Sequence, residues 1–402
     1  MRCSMSWSKY LQTKAIIAPI IPLPKRRYAI AVVMPVYAEA EFIEPVLASL
    51  KTTREDILIV AVVNHPPNAS TADLDNNRRV LTKLQQYDIA YIDAGTLNHG
   101  VGEARKIGMD SVLPYLTPGG LICCLDGDSP VEKNYFSAIE QAFTVKPDCA
   151  GGVVAFCHSV SDDPKINRAI IDYELWLRYY VYALKAAGSP YAFFMIGSTI
   201  ITRATAYVKA GGMRKRPAAE DFYFLQALSK VGSIISIDTT TVYPSPRPSP
   251  RVPFGTGRKV GEVLAGGEIK LYHPDIFTHL QALLAEVEHC TDFSKLPEIF
   301  EQTLAAPTLK FLKNSQFAHS WSKIYRNTAK YKTARQQAFH TWFDAFRTLK
   351  FVHFCETEYP EQFARCEIMP ALTVIMPSMQ LNSKSHALEL LRQLPRENLS
   401  IN

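Results

Sequence analysis

The sequence contains no C-x-x-C pair, and its apolar runs are too short or too interrupted to cross a bilayer. Eight cysteines are scattered along the chain, with Cys123 and Cys124 adjacent inside an apolar run. This usage is typical of buried reduced thiols and leads us to expect a cytoplasmic protein. Two prolines interrupt the apolar stretch 15–23, and Lys185 with a Gly-Ser-Pro turn interrupts the stretch 179–201. We therefore expect neither a transmembrane helix nor a signal peptide, with contact at a membrane surface left open.

A strong excess of one charge is also absent. Lysine and arginine number 44 against 38 acidic residues, which gives a net charge of +6. A dedicated nucleic-acid binder concentrates more positive charge than this, so no nucleic-acid partner is expected, whereas an anionic small ligand suits the excess. The hydrophobic share of 47% and the charged share of 20% exclude a disordered chain and a collagen-like fibre. The 402 residues suffice for two or three domains.

The first half of the chain alternates between strand and helix patterns. Short apolar runs rich in β-branched residues predict buried strands at 30–33, 57–63, 89–92, 121–125 and 193–202. Apolar positions spaced by three and four predict helices at 40–51, 73–86, 102–113 and 167–186. This order predicts an α/β fold with a mostly parallel sheet and helices on both faces.

We expect no helix or strand between Tyr243 and Gly257, because this segment includes five prolines and two glycines. We interpret this segment as a loop reaching over a site. Beyond it, helical patterns at 275–289, 309–317 and 333–354 predict a mainly helical region. The expected domains are an N-terminal extension at 1–27, an α/β domain at 28–258 and a helical C-terminal domain at 259–402.

Asp126 and Asp128 follow a predicted buried strand in the sequence CCLDGDSP. Open α/β sheets bind ligands at the carboxyl ends of their strands. Two carboxylates one residue apart can share Mg²⁺ or Mn²⁺, which also takes phosphate oxygens. The alternative is an ordinary turn between a strand and a helix.

Six segments together resemble the family 2 glycosyltransferases with a GT-A fold. They are MPVYAEAEFIEPVLASL, ILIVAVVN, GVGEARKIGMD, LDGDSPVEKNYF, GSTIITRATAYVKAGGM and AEDFYFLQAL, in that order over about residues 28–230. The resemblance implies a Rossmann-like sheet and transfer of a sugar from a nucleotide-diphosphate donor, with a divalent cation on Asp126 and Asp128. The acceptor is then an unknown hydroxyl compound.

The resemblance also implies donor-binding residues. The family's Pro-x-Tyr loop matches Pro35 and Tyr37, with Glu39 nearby, although Ala38 stands where the family usually has Asn. The acidic pair that usually ends the second strand is replaced by Asn64 and its neighbours, which leaves the nucleotide base open.

Arg105 matches the start of a family helix, where a helix N-terminus and a guanidinium suit an anion. A solvated surface arginine is the alternative. Arg247, Arg251 and Arg258 lie on or beside the proline-rich loop, where they could close on the diphosphate or simply be solvated.

Asp221 resembles the catalytic base of inverting family members, with Glu220 beside it to raise its pKa. The alternative is that both acids merely begin a helix, where the macrodipole favours them. Gly197 and Ser198 match the small residues of the acceptor-side strand, or they are packing residues.

Other interpretations stay open. A retaining transferase and an inactive sugar-nucleotide-binding scaffold both fit the fold, and a phosphatase with an Asp-x-Asp nucleophile is a weaker rival because Ser129 and Pro130 follow the pair. The absence of Q-x-x-R-W argues against a polymer-extruding synthase. The aromatic helix 176–182 is either part of the core, a platform for a sugar acceptor or a contact with a membrane surface. The basic, aromatic segment 323–343 is either a solvated face or a contact for acidic lipid or another partner.

Overall fold

The computed structural model describes residues 6–52, 54–249, 251 and 255–394. The chain divides into two compact units. The sheet unit comprises the described residues of Met1–Asn167 and Met195–Gly261, and the helical unit comprises those of Arg168–Phe194 and Glu262–Asn402. The expected domain boundaries at residues 27 and 258 stay a prediction. The helical unit also includes a segment from the middle of the chain.

Within the described residues, the sheet unit contains one mixed sheet of seven strands. The strands are β1 (Tyr28–Val36), β2 (Ile57–His65), β3 (Ala90–Thr96), β4 (Leu116–Cys124), β5 (Gly151–Phe156), β6 (Ile200–Arg203) and β7 (Ile234–Val242). Their order across the sheet is β3-β2-β1-β4-β6-β5-β7. Only β6 runs antiparallel to its neighbours β4 and β5, and the other pairings are parallel. The α/β prediction with a mostly parallel sheet is confirmed.

The central strands are apolar on both faces because helices cover both. Val32 and Val33 of β1 point to opposite sides of the sheet and are both fully buried. The helices of this unit are α1 (Trp7–Thr13), α2 (Ile43–Ser49), α3 (Thr71–Gln86), α4 (Gly100–Val112), α5 (Tyr135–Val145), α7 (Ala204–Ala210) and α8 (Glu220–Ser229). The helices α6 (Pro164–Ala186) and α9 (Thr256–Leu264) each run from this unit into the helical unit.

The N-terminal segment is tied to the sheet unit by one buried carboxylate. Asp110 of α4 accepts hydrogen bonds from the hydroxyls of Tyr10 and Tyr207, both at 2.7 Å, and from the backbone N–H of Ile16 at 2.8 Å. It also pairs with Lys106 at 2.8 Å. The first helix therefore packs as part of this unit.

The helical unit is built around a large aromatic and aliphatic core. Its further helices are α10 (Pro274–His289), α11 (Leu296–Thr303), α12 (Ala306–Asn314), α13 (Phe317–Arg326), α14 (Lys332–Trp342), α15 (Ala345–Glu358), α16 (Ile368–Ile375) and α17 (Lys384–Gln393). The predicted helical C-terminal region is confirmed. The single helical pattern at 333–354 was wrong in detail, since α14 ends at Trp342 and Asp344 caps α15 by accepting a hydrogen bond from the N–H of Arg347.

The aromatic residues of α6 contribute to this core. Tyr179 and Tyr182 are buried, and Trp176 stacks between Tyr173 and Tyr180 with ring centroids 6.0 and 6.4 Å apart. These aromatic residues therefore pack in the core of the helical unit, which is one of the roles that the sequence left open.

No helix among the described residues is both long and apolar enough to cross a membrane. The seven cysteines in the described part of the chain are free thiols, and five of them are buried. Cys3 lies outside the described residues, as do Pro250 and residues 252–254 of the proline-rich loop.

Candidate active site

The residues singled out in the sequence gather at one edge of the sheet. Parallel strands β1, β2 and β4 all end there, which places Tyr37, Asn64 and Asp126 at the same edge. Because β6 is antiparallel, it begins at this edge, and the short 3₁₀ turn Gly197–Thr199 before it lies there as well. One reversed strand thus brings a late segment beside the Asp126–Asp128 turn.

Arg105 is the centre of one half of the site. Its side chain is only 4% exposed, and its guanidinium forms ion pairs with both Asp126 and Glu220. Glu220 is itself only 4% exposed. Arg105 is therefore a buried bridge between two carboxylates, and the alternative of a solvated arginine is wrong.

Gly197 makes room for this bridge. A Cβ at residue 197 would overlap the Arg105 guanidinium, with its Cζ only 2.5 Å away. Ser198 beside it is almost fully buried, and its hydroxyl has no hydrogen-bond partner among the described residues. Gly197, one of the two small residues predicted for the acceptor side, thus lies directly against Arg105.

Two further arginines, Arg247 and Arg251, lie in the other half of the site. Arg247 lies 2.9 Å from an Asp128 oxygen and 2.6 Å from a Glu39 oxygen, and it stacks on the Phe42 ring at 3.9 Å. Arg251 lies 2.8 Å from Glu39 and also donates to the backbone carbonyl of Tyr37. Arg258 lies in the first turn of α9.

Five carboxylates and three guanidiniums therefore form what we call the acid cluster: Glu39, Asp126, Asp128, Glu220 and Asp221 with Arg105, Arg247 and Arg251. The acids outnumber the guanidiniums by two. Burial and the neighbouring Asp128 raise the pKa of Glu39, and burial raises the pKa of Asp128. Burial and then Glu220 raise the pKa of Asp221 to about 7.

Glu220 and Asp221 occupy the first turn of α8, as the macrodipole favours. Asp221 accepts a hydrogen bond from the N–H of Phe222 at 2.7 Å. Ala219, directly before them, has a left-handed φ of 57°, and Ala38 on the loop after β1 has a φ of 53°. Such angles are unfavourable for alanine, so the surrounding contacts hold both loops in place.

Three residues that were predicted to bind the sugar donor belong to the strands and loops that support the site. Asn64 is buried and donates to the carbonyls of Val36 and Val62 at 3.2 Å, which fastens the ends of β1 and β2. The Tyr37 hydroxyl donates to Asp73 of α3 at 2.9 Å. Pro35 lies within β1 opposite Val62.

The sequence predicts Asp126 and Asp128 as the ligands of a divalent cation. No group of three or more His, Cys, Asp or Glu side chains within the described ranges is arranged to hold a metal ion. Two carboxylates that share a cation with substrate phosphates do not need a third, because Mg²⁺ commonly binds in that way. The excess of acids in the cluster also suits a divalent cation.

The sequence named Arg247 only as one of three arginines on or beside the proline-rich loop. Nothing in the sequence pattern distinguished it from Arg251 and Arg258, and its contact with Asp128 was not predicted. Its pairing with Asp128 depends on strand order, which spacing alone does not give.

Comparison with known proteins gives structural similarity only. No family model matches the chain, and no curated protein matches it. Among solved structures, S. aureus TarS 1–349 in complex with UDP-GlcNAc is 13% identical, with 79% of this chain and 91% of that chain covered and a TM-score of 0.41.

Two further solved structures are similar at the same level. The mannosyltransferase PcManGT from Pyrobaculum calidifontis, in complex with GDP-Man and Mn²⁺, is 15% identical over 84% of this chain and 93% of that chain, with a TM-score of 0.37. Glucosyl-3-phosphoglycerate synthase from Mycobacterium tuberculosis, in complex with Mn²⁺ and UDP, is 13% identical over 59% and 78%, with a TM-score of 0.39.

Proposed function

We propose that the protein is a metal-dependent glycosyltransferase that moves a sugar from a nucleotide-diphosphate donor to an acceptor hydroxyl. The observation that carries this proposal is the acid cluster at the carboxyl edge of the sheet, where open α/β sheets bind ligands. Carboxylates for a cation and arginines for an anion stand side by side there. A cation and a diphosphate bound together would need both.

Asp126 and Asp128 would hold the cation, Mn²⁺ or Mg²⁺. The acids of the cluster outnumber its guanidiniums, so the cluster has a negative excess that attracts a cation. When bound, such a cation neutralises the negative charge of a departing diphosphate.

The arginines would bind the donor. A guanidinium presents paired N–H groups that match phosphate oxygens, and Arg247 and Arg251 now use theirs on Glu39 and Asp128. In our proposal they turn to the diphosphate when the donor enters, and Arg258 lies nearby in sequence. Pro35, Tyr37 and Asn64 would then form the nucleotide side, and Arg105 would keep Asp126 in place.

Asp221 would act as the general base, with Glu220 supporting its pKa. A carboxyl with a pKa of about 7 is partly ionised at neutral pH and can take a proton from a hydroxyl. As the acceptor oxygen bonds to the anomeric carbon, its proton passes to Asp221 and the bond to the diphosphate breaks, leaving the electron pair on the phosphate oxygen. Attack from the opposite side inverts the anomeric configuration. Gly197 and Ser198 would line the acceptor side.

The test is a donor panel. Purified protein is heated with Mn²⁺ or Mg²⁺ and with each common UDP-, GDP- or dTDP-sugar, and nucleotide-diphosphate release is followed in parallel. A donor at 100 times its Kd stabilises the protein by about 2.7 kcal/mol. We expect one donor to stabilise the protein only when a cation is present.

Matched variants sharpen the result. Asp128→Asn should abolish cation-dependent stabilisation, whereas Asp75→Asn, the same chemical change on exposed α3, should leave it intact. Asp221→Asn should keep donor binding and lose turnover. No stabilisation by any donor would contradict the proposal, and binding without turnover in the wild type would favour the scaffold. The anomeric configuration of the product, read by NMR, separates inversion from retention.

A further inference from the structure

The net positive charge of the chain is concentrated in one segment of the helical unit. Residues 302–343 contain seven lysines and arginines and no acidic residue. The rest of the chain carries 37 basic and 38 acidic residues, so it is close to neutral. A distribution this uneven points to a local anionic partner rather than to general solubility.

Four of these basic side chains are exposed and uncompensated. Lys323 and Arg326 end α13, Lys330 lies in the following turn, and Lys332 begins α14. None of the four forms an ion pair with any residue that the structure describes. Lys310 differs, since it pairs with an acidic residue, Glu358, at 2.7 Å. We call these four side chains together with Tyr331 the basic face.

Apolar surface lies within and beside the basic face. Tyr331 is 65% exposed between Lys330 and Lys332. A cavity of about 490 Å³, lined mainly by apolar side chains of α11, α12 and α13, opens beside His319. His319 lies one helical turn before Lys323 on the same side of α13. The basic face therefore combines cations, an amphipathic ring and nearby apolar surface.

We propose that the basic face docks the protein onto an anionic lipid bilayer. Lysines and arginines near a surface of acidic headgroups each favour binding, and tyrosine prefers the boundary between headgroups and acyl chains. A nucleic-acid duplex is bound mainly through its phosphates, which contact basic side chains and make no use of an exposed tyrosine ring. This inference concerns the helical unit and does not depend on the proposed transferase activity.

The test measures binding of the full chain to vesicles by flotation. Vesicles of phosphatidylcholine alone are compared with vesicles containing about a third phosphatidylserine, at about 0.1 M salt. The test variant carries Lys323→Glu, Arg326→Glu, Lys330→Glu and Lys332→Glu. The control variant carries Lys51→Glu, Lys133→Glu, Lys146→Glu and Lys209→Glu, four exposed lysines of the sheet unit without ion pairs to described residues. Both variants change the net charge equally.

We expect the wild type to bind the anionic vesicles and not the neutral ones. Each basic residue near the surface contributes about fivefold, so the test variant should bind at least ~100-fold more weakly. The control variant should stay within about threefold of the wild type, because its lysines lie elsewhere. Tyr331→Ala should cause a smaller loss that persists at higher salt.

Four outcomes would overturn the proposal: no binding by the wild type, equal binding to neutral vesicles, equal losses in the two variants, or tighter binding to duplex DNA at the same salt. Circular dichroism checks that the variants are folded. Should the test variant fail to fold, the wild type decides alone. Its vesicle binding must weaken steeply as salt rises, since screening acts on exposed charges, and binding that ignores salt would refute the inference.

Discussion

Replacing Arg105 by methionine should destabilise the sheet unit more than any other single charge removal in the acid cluster. Arg105 and Glu220 are both nearly fully buried, and each has the other as an ion-pair partner. Removing one member of a buried pair typically costs about 3–5 kcal/mol, because the other charge is left without a partner or water. Asp126 adds little to this cost, since its side chain is 36% exposed and water can replace the arginine.

A double-mutant cycle separates the buried pair from other effects. Glu220→Gln alone should cost about 1–3 kcal/mol, because Arg105 keeps Asp126 as a partner. The double variant Arg105→Met with Glu220→Gln removes both buried charges and should be no less stable than Arg105→Met alone. The coupling energy should therefore be at least about 1 kcal/mol.

The assay must report on the sheet unit, because a chain with two compact units need not unfold in one step. Hydrogen exchange of the β1 and β4 amides under native conditions gives that local free energy. Arg54→Met is the matched control: Arg54 also bridges two carboxylates, Asp56 and Glu140, but it is 33% exposed and its loss should cost no more than about 1 kcal/mol. Additive single effects, or equal costs at Arg54 and Arg105, would refute the assignment of a buried bridge.

Three further predictions follow from single residues. Gly197→Ala should destabilise the sheet unit by about 1–3 kcal/mol in the same exchange assay, because its Cβ overlaps the Arg105 guanidinium, and a neutral result would show that the arginine moves freely. Ala38→Asn should stabilise the protein by about 0.5–1 kcal/mol, since Asn tolerates the left-handed φ of 53°, and a lower Tm would contradict this. Burial lowers the pKa of His340 in the folded protein, so the unfolded state binds more protons. The contribution of His340 to stability should be full above about pH 6.5 and fall as the pH drops below it, so the Tm of the wild type should fall relative to that of His340→Leu below that pH; a Tm difference that does not change with pH would exclude this role of His340.

Strands with continuous apolar, β-branched sequence were predictable within a few residues. The strands β1 and β2 are longer than the runs 30–33 and 57–63 that predicted them. The side chains of the extra residues at the strand ends carry no periodic pattern, so the sequence did not mark them as strand. The run 193–202 was less informative. Only Ile200 onward forms a strand, since an apolar run by itself does not distinguish a strand from a buried turn such as Gly197–Thr199.

The sequence identified residues of the site, but it did not show which of them form ion pairs with each other. Asp126, Asp128, Glu220 and Asp221 were identified from the sequence, and the structure brings them to one edge. The bridge from Arg105 to Glu220 joins residues 115 apart and requires β6 to run antiparallel, because only then does the segment before α8 pass this edge. No local pattern specifies the direction of a strand within a sheet.

The proline-rich loop shows how composition and topology combine to place Arg247. The loop leaves the sheet after β7, which is not a neighbour of β4 in the order β4-β6-β5-β7. The segment that follows Asp128 nevertheless reaches β7. Val131 forms a bridge with Val242, and the backbone N–H of Tyr243 donates to the carbonyl of Pro130 at 2.8 Å. This pairing holds the start of the proline-rich loop beside the Asp126–Asp128 turn, and Pro244 and Pro246 favour an extended conformation from there onward. Composition alone indicated only a lapse of regular structure, whereas the backbone pairing with β7 is what brings Arg247 to Asp128.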